Sequence, residues 1–265
     1  MADQPQTWHH GLVARYWAEH NTGGPEVPYF RQKLEHSGEP ALDAGCGTGR
    51  LLIPFLQAGL DVDGCDVSAD MLSFCRERAE REGLKPRLYQ QALHELDLPR
   101  IYQTIIVCGA FGLGASHQQD VLALQHLHRH LRPGGLLLLD SEVPYADAGV
   151  WQLWPKGNRD RLPEPWPETV GKIPPVGGKD YELYSRVVAF DPLEQRVTRE
   201  MRTILWHDGK LIAEETYTLH ENLYFRNELG RMLEQAGFTI EAVQGDYQET
   251  EATAEHDFVV FVARK

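Results

Sequence analysis

A glycine-rich stretch between a short apolar run and a helical pattern constrains this chain more than any other feature. The run Ala41–Ala44 is apolar except for Asp43, and it leads into Gly45-Cys46-Gly47-Thr48-Gly49-Arg50. Glycines at such a turn let the backbone approach a ligand closely, and the start of the next helix offers free N–H groups. The pattern predicts a strand–loop–helix unit that binds a ligand. A dinucleotide fingerprint needs a third glycine where Arg50 stands, which disfavours a nicotinamide oxidoreductase.

The first half of the chain alternates short apolar runs with helical periodicity, which predicts parallel strands joined by crossover helices in a doubly wound α/β sheet. The predicted strands are Ala41–Ala44, Val62–Asp66, Arg87–Gln90, Thr104–Cys108 and Gly135–Ser141. The predicted helices are Thr48–Ala58, one that begins after the N-cap Ser68, and Gln118–Leu131, with an apolar face of Val121, Leu124, Leu127 and Leu131. Arg132-Pro133-Gly134-Gly135 should end the third helix.

The second half has a different pattern. Residues 145–180 are rich in tryptophan and proline without any period, which is typical of a long loop. An antiparallel meander is predicted from three runs: Tyr181–Phe190, Arg196–Trp206 and Leu211–His220. A helix and two strands close the chain: Asn227–Ala236, Phe238–Val243 and Phe258–Ala263. We therefore predict a core of 1–144 and 221–265, with 145–220 inserted after strand five as a substrate cap.

Composition narrows the function classes. The 265 residues are 42% apolar and 25% charged, with a formal net charge of −13. This acidic balance disfavours binding to the phosphate backbone of nucleic acids. The longest purely aliphatic stretch, Leu136–Leu139, is far shorter than the roughly 18 residues that span a bilayer. The start of the chain, MADQPQTWHH, lacks the basic and apolar regions of a signal peptide, so a cytoplasmic protein is the expectation.

The cysteines point to neither disulfides nor metal. They are scattered without any C-x-x-C pair or zinc spacing, and we expect reduced, mostly buried side chains at Cys46, Cys65, Cys75 and Cys108. No metal site is predicted.

A second acidic element complements the glycine loop. Asp66 ends the second predicted strand, where its carboxylate can accept both hydroxyls of an adenosine ribose. Val67 and Met71 follow and are placed to pack on an adenine face. Both elements belong to the carboxyl edge of the sheet, where doubly wound folds bind ligands.

Three motifs in this order resemble the class I S-adenosylmethionine (SAM)-dependent methyltransferases. They are Asp43–Gly49, Asp66 with Ser68–Leu72, and Leu131–Gly135. The resemblance implies a mostly parallel, seven-stranded, Rossmann-like sheet with an antiparallel final strand. It implies SAM as cofactor and S-adenosylhomocysteine as product. The cofactor-binding residues that it implies are Asp43, Ala44, Gly45, Cys46, Gly47, Gly49, Asp66, Val67, Met71, Ala92, Leu93 and Cys108.

The same resemblance gives these residues roles. The glycine loop would hold the methionine portion of SAM, Asp66 the ribose, and the backbone of Leu93 the adenine. The family often has an acidic residue where this chain has Ala92 with Gln91 beside it, so recognition of the adenine amino group departs from the family pattern.

Catalytic residues are harder to predict, because methyl transfer from a sulfonium needs alignment and exclusion of water more than acid–base groups. The candidates are His117 after the fourth strand, His220 after the meander, and Tyr16, which resembles the N-terminal lid tyrosine of small-molecule methyltransferases. Tyr217 is a further candidate for substrate contact. Arg186, Arg196, Arg199 and Arg202 would hold an anionic substrate or lie on a solvated sheet face. We place His126 and His130 on the exposed side of their helix rather than in a metal cluster.

The predicted function is SAM-dependent methyl transfer to a nitrogen or oxygen atom of a small molecule. A methyltransferase acting on protein or RNA, and a SAM-binding protein without catalysis, are the alternatives. The expected partner is a small-molecule substrate, with no membrane and no nucleic acid; a homodimer stays open.

Overall fold

The computed structural model describes residues 9–170 and 178–265, and within them strands and helices alternate as the sequence predicts. The strands are β1 Ala41–Ala44, β2 Val62–Asp66, β3 Arg87–Gln90, β4 Tyr102–Val107, β5 Leu131–Glu142, β6 Lys179–Asp191, β7 Arg196–His207, β8 Lys210–Asn222, β9 Thr239–Gly245 and β10 Phe258–Arg264. The α-helices are α1 Gly11–His20, α2 Glu26–Ser37, α3 Leu52–Gln57, α4 Ala69–Arg81, α5 His117–His130, α6 Ala148–Trp151 and α7 Arg226–Gln235.

The larger sheet has seven strands in the order β3-β2-β1-β4-β5-β10-β9. The first five strands in the chain pair in parallel, and β10 is antiparallel to both β5 and β9. The predicted mostly parallel, seven-stranded Rossmann-like sheet is therefore confirmed. Successive strands are added to one side of β1 as far as β3, and then to its other side from β4 onwards. At this switch point between β1 and β4, the carboxyl ends of β1, β2, β4 and β5 open a crevice at one edge.

Both faces of this sheet are buried, and strand β5 shows why. Successive side chains of a strand point to opposite faces. Leu137 and Leu139 pack with the apolar faces of α5 and α7. Leu136 and Leu138 pack on the other side with residues of α2 and α3. The near-continuous apolar run that the sequence shows is thus the pattern of a strand covered by helices on both sides.

Two helices next to the crevice have well-defined starts. The Ser68 side chain accepts a hydrogen bond from the Met71 N–H at 3.2 Å, which caps α4 as predicted. Ser116 and Gln119 form a capping box at the start of α5. These caps fix where each helix leaves the sheet edge, and so they fix the loops around the crevice.

Strands β6, β7 and β8 form a separate antiparallel sheet, which we call the meander. Helix α1 packs on it through Leu12 and Val13. The Leu12 N–H donates to the Tyr217 hydroxyl at 2.8 Å, and the Gly11 N–H donates to Asp70 of α4 at 2.7 Å. Helix α1 therefore connects the meander with the seven-stranded sheet and its helices.

The loop that follows β4 is joined to the last strand of the meander. The Gly114 N–H donates to the His220 carbonyl at 2.7 Å, and the Asn222 N–H donates to the Gly112 carbonyl at 2.8 Å. The predicted antiparallel sheet after strand five is confirmed, and these bonds hold it against the crevice edge.

Several predicted details are wrong. Val121 is exposed, because the buried face of α5 carries Asp120 and Leu124 instead. Helix α5 ends at His130, before Arg132–Gly135 as predicted, but strand β5 begins at Leu131 and not at Gly135. The described part of the predicted structureless loop contains α6 and a 3₁₀ turn at Asn158–Arg161.

Some predictions fall outside what the structure describes. Residues 1–8 of the predicted core and residues 171–177 of the predicted insertion lie outside the described residues. The division of the chain into a core and a substrate cap stays a prediction. All four cysteines are buried with free thiols, as predicted. A search of the described residues finds no helix long and apolar enough to cross a membrane.

Candidate functional site

A cavity of about 540 Å³ opens at the carboxyl edge of the seven-stranded sheet. Its floor is formed by residues at the ends of β1, β2, β4 and β5. The meander forms the opposite wall with Ser185, Arg199 and Glu221. Trp17 and Asn21 contribute a side wall from α1 and the residue that follows it. The crevice of the sheet is thus enclosed into a chamber.

The glycine loop brings backbone to the cavity at close range. Gly45 and Gly47 have φ values of +85° and +51°, in the left-handed region that glycine tolerates best. A Cβ on Gly45 would collide with the side chain of Ala110. The Gly45 and Cys46 N–H groups both donate to the Cys65 carbonyl, at 2.8 and 2.9 Å. The loop is therefore held against β2, and only glycine fits at Gly45.

Asp66 is fixed at the end of β2 by backbone donors. Its two carboxylate oxygens accept hydrogen bonds from the Gly47 N–H at 2.9 Å and the Ser68 N–H at 2.8 Å. Burial raises the pKa of Asp66, and these N–H groups oppose that rise because they stabilise the carboxylate. Since each carboxylate oxygen has two lone pairs, acceptor capacity remains on the side that lines the cavity.

Asp43 at the end of β1 is buried in a different way. Among the described residues, its Oδ2 atom has no hydrogen-bond partner. Burial raises the pKa of Asp43 to about 7, although the Arg50 guanidinium lowers it. Unpartnered buried carboxylate oxygens are costly, so this atom is suited to a positively charged ligand group in the adjoining cavity.

Comparisons with known proteins agree with this geometry. Residues 41–135 match a family model described as a methyltransferase domain. The chain is 25% identical over 228 residues to a putative methyltransferase, YqeM, of Bacillus subtilis, a match that covers 84% of this chain and 83% of that protein.

Solved structures share the fold. An S-adenosylmethionine-dependent methyltransferase from Clostridium acetobutylicum superimposes with a TM-score of 0.71 at 17% identity, covering 96% of this chain and 97% of the other. The sugar N-methyltransferase KedS8 from Streptoalloteichus gives a TM-score of 0.70 at 17% identity, covering 97% and 94%.

Residues 41–135 are therefore a methyltransferase domain, and the chain has the fold of SAM-dependent methyltransferases. Its cofactor is SAM. The residues present fit that cofactor, because the unpartnered Asp43 oxygen matches the ammonium group of its methionine portion.

The methyltransferase brings most of the predicted cofactor residues to the cavity. Those that line it are Asp43, Gly45, Cys46, Gly47, Asp66, Val67, Met71, Ala92, Leu93 and Cys108. Ala44 and Gly49 are not among the described lining residues. Ala44 is buried within β1, and a Cβ on Gly49 would instead meet Cys75 and Ile53 inside the protein. Those two positions shape the loop, while the roles of the others in cofactor binding stay predictions.

His117, predicted as catalytic, is engaged away from the cavity. Its Nδ1 lies 2.9 Å from the Tyr224 hydroxyl, and its Nε2 contacts the Glu194 carbonyl. Tyr224 also donates to the buried Asp120 at 2.7 Å. This arrangement connects α5 with the turn between β6 and β7, and it does not place the imidazole among the described lining residues.

His220 and Tyr16 also lie outside the described lining. The Nδ1 of His220 is 2.9 Å from the Thr198 hydroxyl, across the pairing of β7 and β8. Tyr16 stacks on His20 and meets Tyr181 edge to face. Helix α1 reaches the cavity through Trp17 instead. The three predicted catalytic side chains are therefore not brought together, and the structure gives them packing and hydrogen-bonding contacts.

Of the other substrate-contact candidates, Tyr217 and the four meander arginines, one lines the cavity among the described residues. The Tyr217 hydroxyl accepts the Leu12 N–H, as described above, and the side chain is buried. Of the four arginines, Arg199 lines the cavity. Ion pairs hold Arg186 to Glu200 and Arg202 to Glu214, and Arg196 donates to Asn222. The sequence offered these as equivalent candidates, and the fold selects one of them.

Arg199 lies at the centre of a charged wall opposite the glycine loop. It donates to Asp147 at 2.7 Å and to Glu221 at 3.3 Å. Burial would raise the pKa of Asp147, but hydrogen bonds from Arg199 and from the Val150 N–H lower it below its ordinary value. Glu142, at the end of β5, also lines the cavity, and burial followed by the nearby Glu221 raises its pKa.

Sequence reasoning named Arg199 but missed the carboxylates around it, and it also missed a second group on the floor. Asp140 of β5 accepts hydrogen bonds from the Gly109 N–H at 2.7 Å, the Cys108 thiol at 3.1 Å and the Tyr247 hydroxyl at 2.7 Å. Its position at the carboxyl end of a predicted parallel strand was an available signal. For Asp147 and Glu221 there was none, because their partner, Arg199, is remote in the chain.

The histidines of α5 require a correction. His130 is buried, with Nε2 accepting from the Leu98 N–H at 3.0 Å and Nδ1 2.8 Å from the His126 carbonyl. His126 contacts the Leu96 carbonyl at 2.8 Å. The prediction of an exposed side is therefore wrong: these residues join α5 to the segment after β3. Within the described residues, no group of three or more His, Cys, Asp or Glu side chains is arranged to hold a metal ion.

Proposed function

We propose that the methyltransferase transfers the methyl group of SAM to the nitrogen of a small-molecule amine held between the glycine-loop floor and the meander. The observation that carries this proposal is the charge of the wall opposite the loop. Glu142, Asp147 and Glu221 face the cavity there with one guanidinium, that of Arg199. Because Arg199 is already paired with two of these carboxylates, the wall keeps an excess of negative charge.

The cofactor would occupy the floor. Asp66 would accept the ribose hydroxyls, the carboxylate of Asp43 would face the methionine ammonium, and Val67 with Met71 would contact the adenine. The Leu93 backbone would contribute to the same subsite. SAM supplies an electrophilic methyl group on a sulfonium, so the protein's task is to align an acceptor with it and exclude water.

Amine chemistry suits the opposite wall. An amine reaches the enzyme largely as a cation, and a negative wall attracts it. The nitrogen attacks only after it loses its proton. Glu142, whose pKa is raised by burial and by Glu221, is the proposed anchor and proton acceptor. In this scheme the proton of the amine would pass to the Glu142 carboxylate. The nitrogen lone pair would then bond to the methyl carbon as the carbon–sulfur bond breaks, which leaves S-adenosylhomocysteine.

The similarity to other proteins also supports methyl transfer to the nitrogen of a small molecule. KedS8, which shares the fold, is described as a sugar N-methyltransferase. A chamber of about 540 Å³ must also hold the cofactor, which favours a small acceptor over a folded macromolecule. The net charge of −13 disfavours RNA as a substrate.

The test is a labelled-methyl assay with SAM over matched pairs of amines and alcohols, alongside protein and RNA fractions. We expect label in the amines. Glu142→Gln and Glu221→Gln should each raise KM for the amine by about 10-fold or more, through loss of a charge-assisted hydrogen bond. Affinity for S-adenosylhomocysteine should stay unchanged. Glu214→Gln is the matched control, because Glu214 lies on the same strand as Glu221 and pairs with Arg202.

Three outcomes would overturn the proposal. Label in alcohols alone would make the enzyme an O-methyltransferase. Label in protein or RNA alone would move the acceptor class to macromolecules. Tight SAM binding without label in any acceptor would indicate a non-catalytic SAM-binding protein.

A further inference from the structure

Arg50 is the positively charged residue at the end of the glycine loop. It directly follows Gly49 and lines the cavity. A dinucleotide-binding loop would have its third glycine at position 50. A long cationic side chain at this position must either leave the loop for solvent or lie over the floor. Its side chain is 22% exposed, so it lies largely over the floor.

The contacts of Arg50 leave donors available. Its Nη1 is ion-paired with Glu26, the buried first residue of α2. Its Nη2 lies 3.4 Å from the Cys108 sulfur, a weak acceptor. A guanidinium has five N–H donors, and these two are the hydrogen-bond partners of Arg50 found among the described residues. The Nη2 edge is therefore suited to a stronger acceptor from the cavity.

The surroundings keep Arg50 charged. Burial lowers the pKa of Arg50, but Cys108, Glu26 and Tyr247 outweigh burial, and the pKa lies above its ordinary value. Asp43 and Asp140 are close enough for the guanidinium to lower the pKa of both carboxyl groups against burial. Arg50 is thus a permanent cation at the end of the cavity where Asp43 lies.

The unpartnered oxygen of Asp43 is an independent sign of a ligand at this end. Asp43 is 2% exposed, and its Oδ2 lacks a partner among the described residues. An anion and a cation, each with unused hydrogen-bonding capacity, thus border the same part of the cavity. A zwitterion with an ammonium and a carboxylate on one carbon satisfies both.

We propose that Arg50 binds the α-carboxylate of the methionine portion of SAM, with Glu26 as a positioning residue that holds the guanidinium over the floor. The inference rests on the cofactor and not on the amine acceptor. Arg50 then makes the enzyme selective for adenosyl ligands that keep an α-amino acid end. The residue that replaces the third glycine of the dinucleotide pattern thus determines ligand specificity.

Calorimetric titration with three ligands tests this role. S-adenosylhomocysteine has the carboxylate, its decarboxylated analogue has only the amine, and 5′-methylthioadenosine lacks the whole amino-acid end. Arg50→Gln should weaken S-adenosylhomocysteine binding by about 10- to 100-fold, the range for a lost hydrogen bond between charged groups. Binding of the two truncated ligands should change by less than about twofold. Arg50→Lys should recover part of the loss, since it keeps the charge but not the fork of donors.

Two further variants separate binding from folding. Glu26→Gln should give a smaller loss with the same ligand pattern, and Arg76→Gln, an exposed arginine on α4, should give none. An equal loss for all three ligands in Arg50→Gln would make Arg50 a purely structural residue. Wild-type protein that binds S-adenosylhomocysteine no better than the decarboxylated analogue would also overturn the inference. Neither result depends on which acceptor is methylated, so this inference and the amine proposal fail separately.

Discussion

The two faces of the cavity are built in opposite ways. The floor uses Asp43, the glycine loop and Asp66, which lie within one short segment of the chain and are held mainly by backbone hydrogen bonds. The opposite wall collects Glu142, Asp147, Arg199 and Glu221 from distant segments and holds them by side-chain ion pairs. This difference teaches that the floor is specified locally in the sequence, whereas the opposite wall forms only in the folded chain.

The largest effect is expected from Gly45→Val, which changes the floor of the cavity. A β-branched residue at a φ of +85° costs about 1–3 kcal/mol, and its side chain would also collide with Ala110. We expect S-adenosylhomocysteine affinity, measured by calorimetry, to fall by more than about 100-fold. Gly59→Val is the control, because Gly59 has a φ of +81° with open space around it. Normal binding by Gly45→Val would refute the close approach of the loop.

A test on the opposite wall is Arg199→Met. Its side chain is 19% exposed, and its loss leaves Asp147 and Glu221 without a cation. We expect the meander to lose about 2–3 kcal/mol of local stability, seen as faster hydrogen exchange in β7 and β8 but not in β1 or β4. Arg202→Met removes an exposed pair and should cost at most about 0.5 kcal/mol. Equal acceleration in both sheets would show that the wall is not an independent unit.

Asp66→Ala tests whether a change on the floor affects nucleoside binding alone. Loss of a charged acceptor should weaken S-adenosylhomocysteine by about 1–3 kcal/mol, while KM for the acceptor stays unchanged. Glu80→Ala, an exposed carboxylate on α4, should leave both quantities as they are. Unchanged nucleoside affinity in Asp66→Ala would contradict the ribose role.

The smallest expected effect is a pH dependence from Asp43. In the ligand-free protein its pKa is about 7, against an ordinary value of 3.8, so the folded state binds more protons between these pH values. Stability must therefore fall as pH rises from about 4 to about 7, and stay lower above that range. Asp43→Asn should remove this loss, worth about 1–2 kcal/mol in urea denaturation at pH 8 relative to pH 6. An identical pH response in wild type and Asp43→Asn would contradict the buried, unpartnered carboxylate.

The contrast between the two faces also explains what the sequence could predict. Strand β1, the glycine loop and Asp66 carry local signals of period, turn chemistry and charge, so the sheet and the cofactor edge were predictable. Asp147 and Arg199 become neighbours only through tertiary folding, and no local pattern relates them. The sequence therefore offered Arg199 only as one of four arginines, and the carboxylates of the opposite wall were missed.

The predicted catalytic residues do not line the cavity among the described residues, for a related reason. His117 and His220 were chosen by position after strands and by residue type. Yet the His117 ring is engaged with Tyr224, and His220 is paired across the meander with Thr198. A histidine can satisfy its ring nitrogens in many structural ways, so residue type at a loop position does not determine a role.

Helix α1 has a practical consequence for altering acceptor range. Trp17 closes one flank of the chamber, yet it belongs to neither sheet. Its indole nitrogen is buried without a hydrogen-bond partner among the described residues, so a smaller side chain there removes no hydrogen bond of the indole. A smaller side chain at position 17 therefore enlarges the chamber from its flank and leaves the glycine loop and Asp66 as they are.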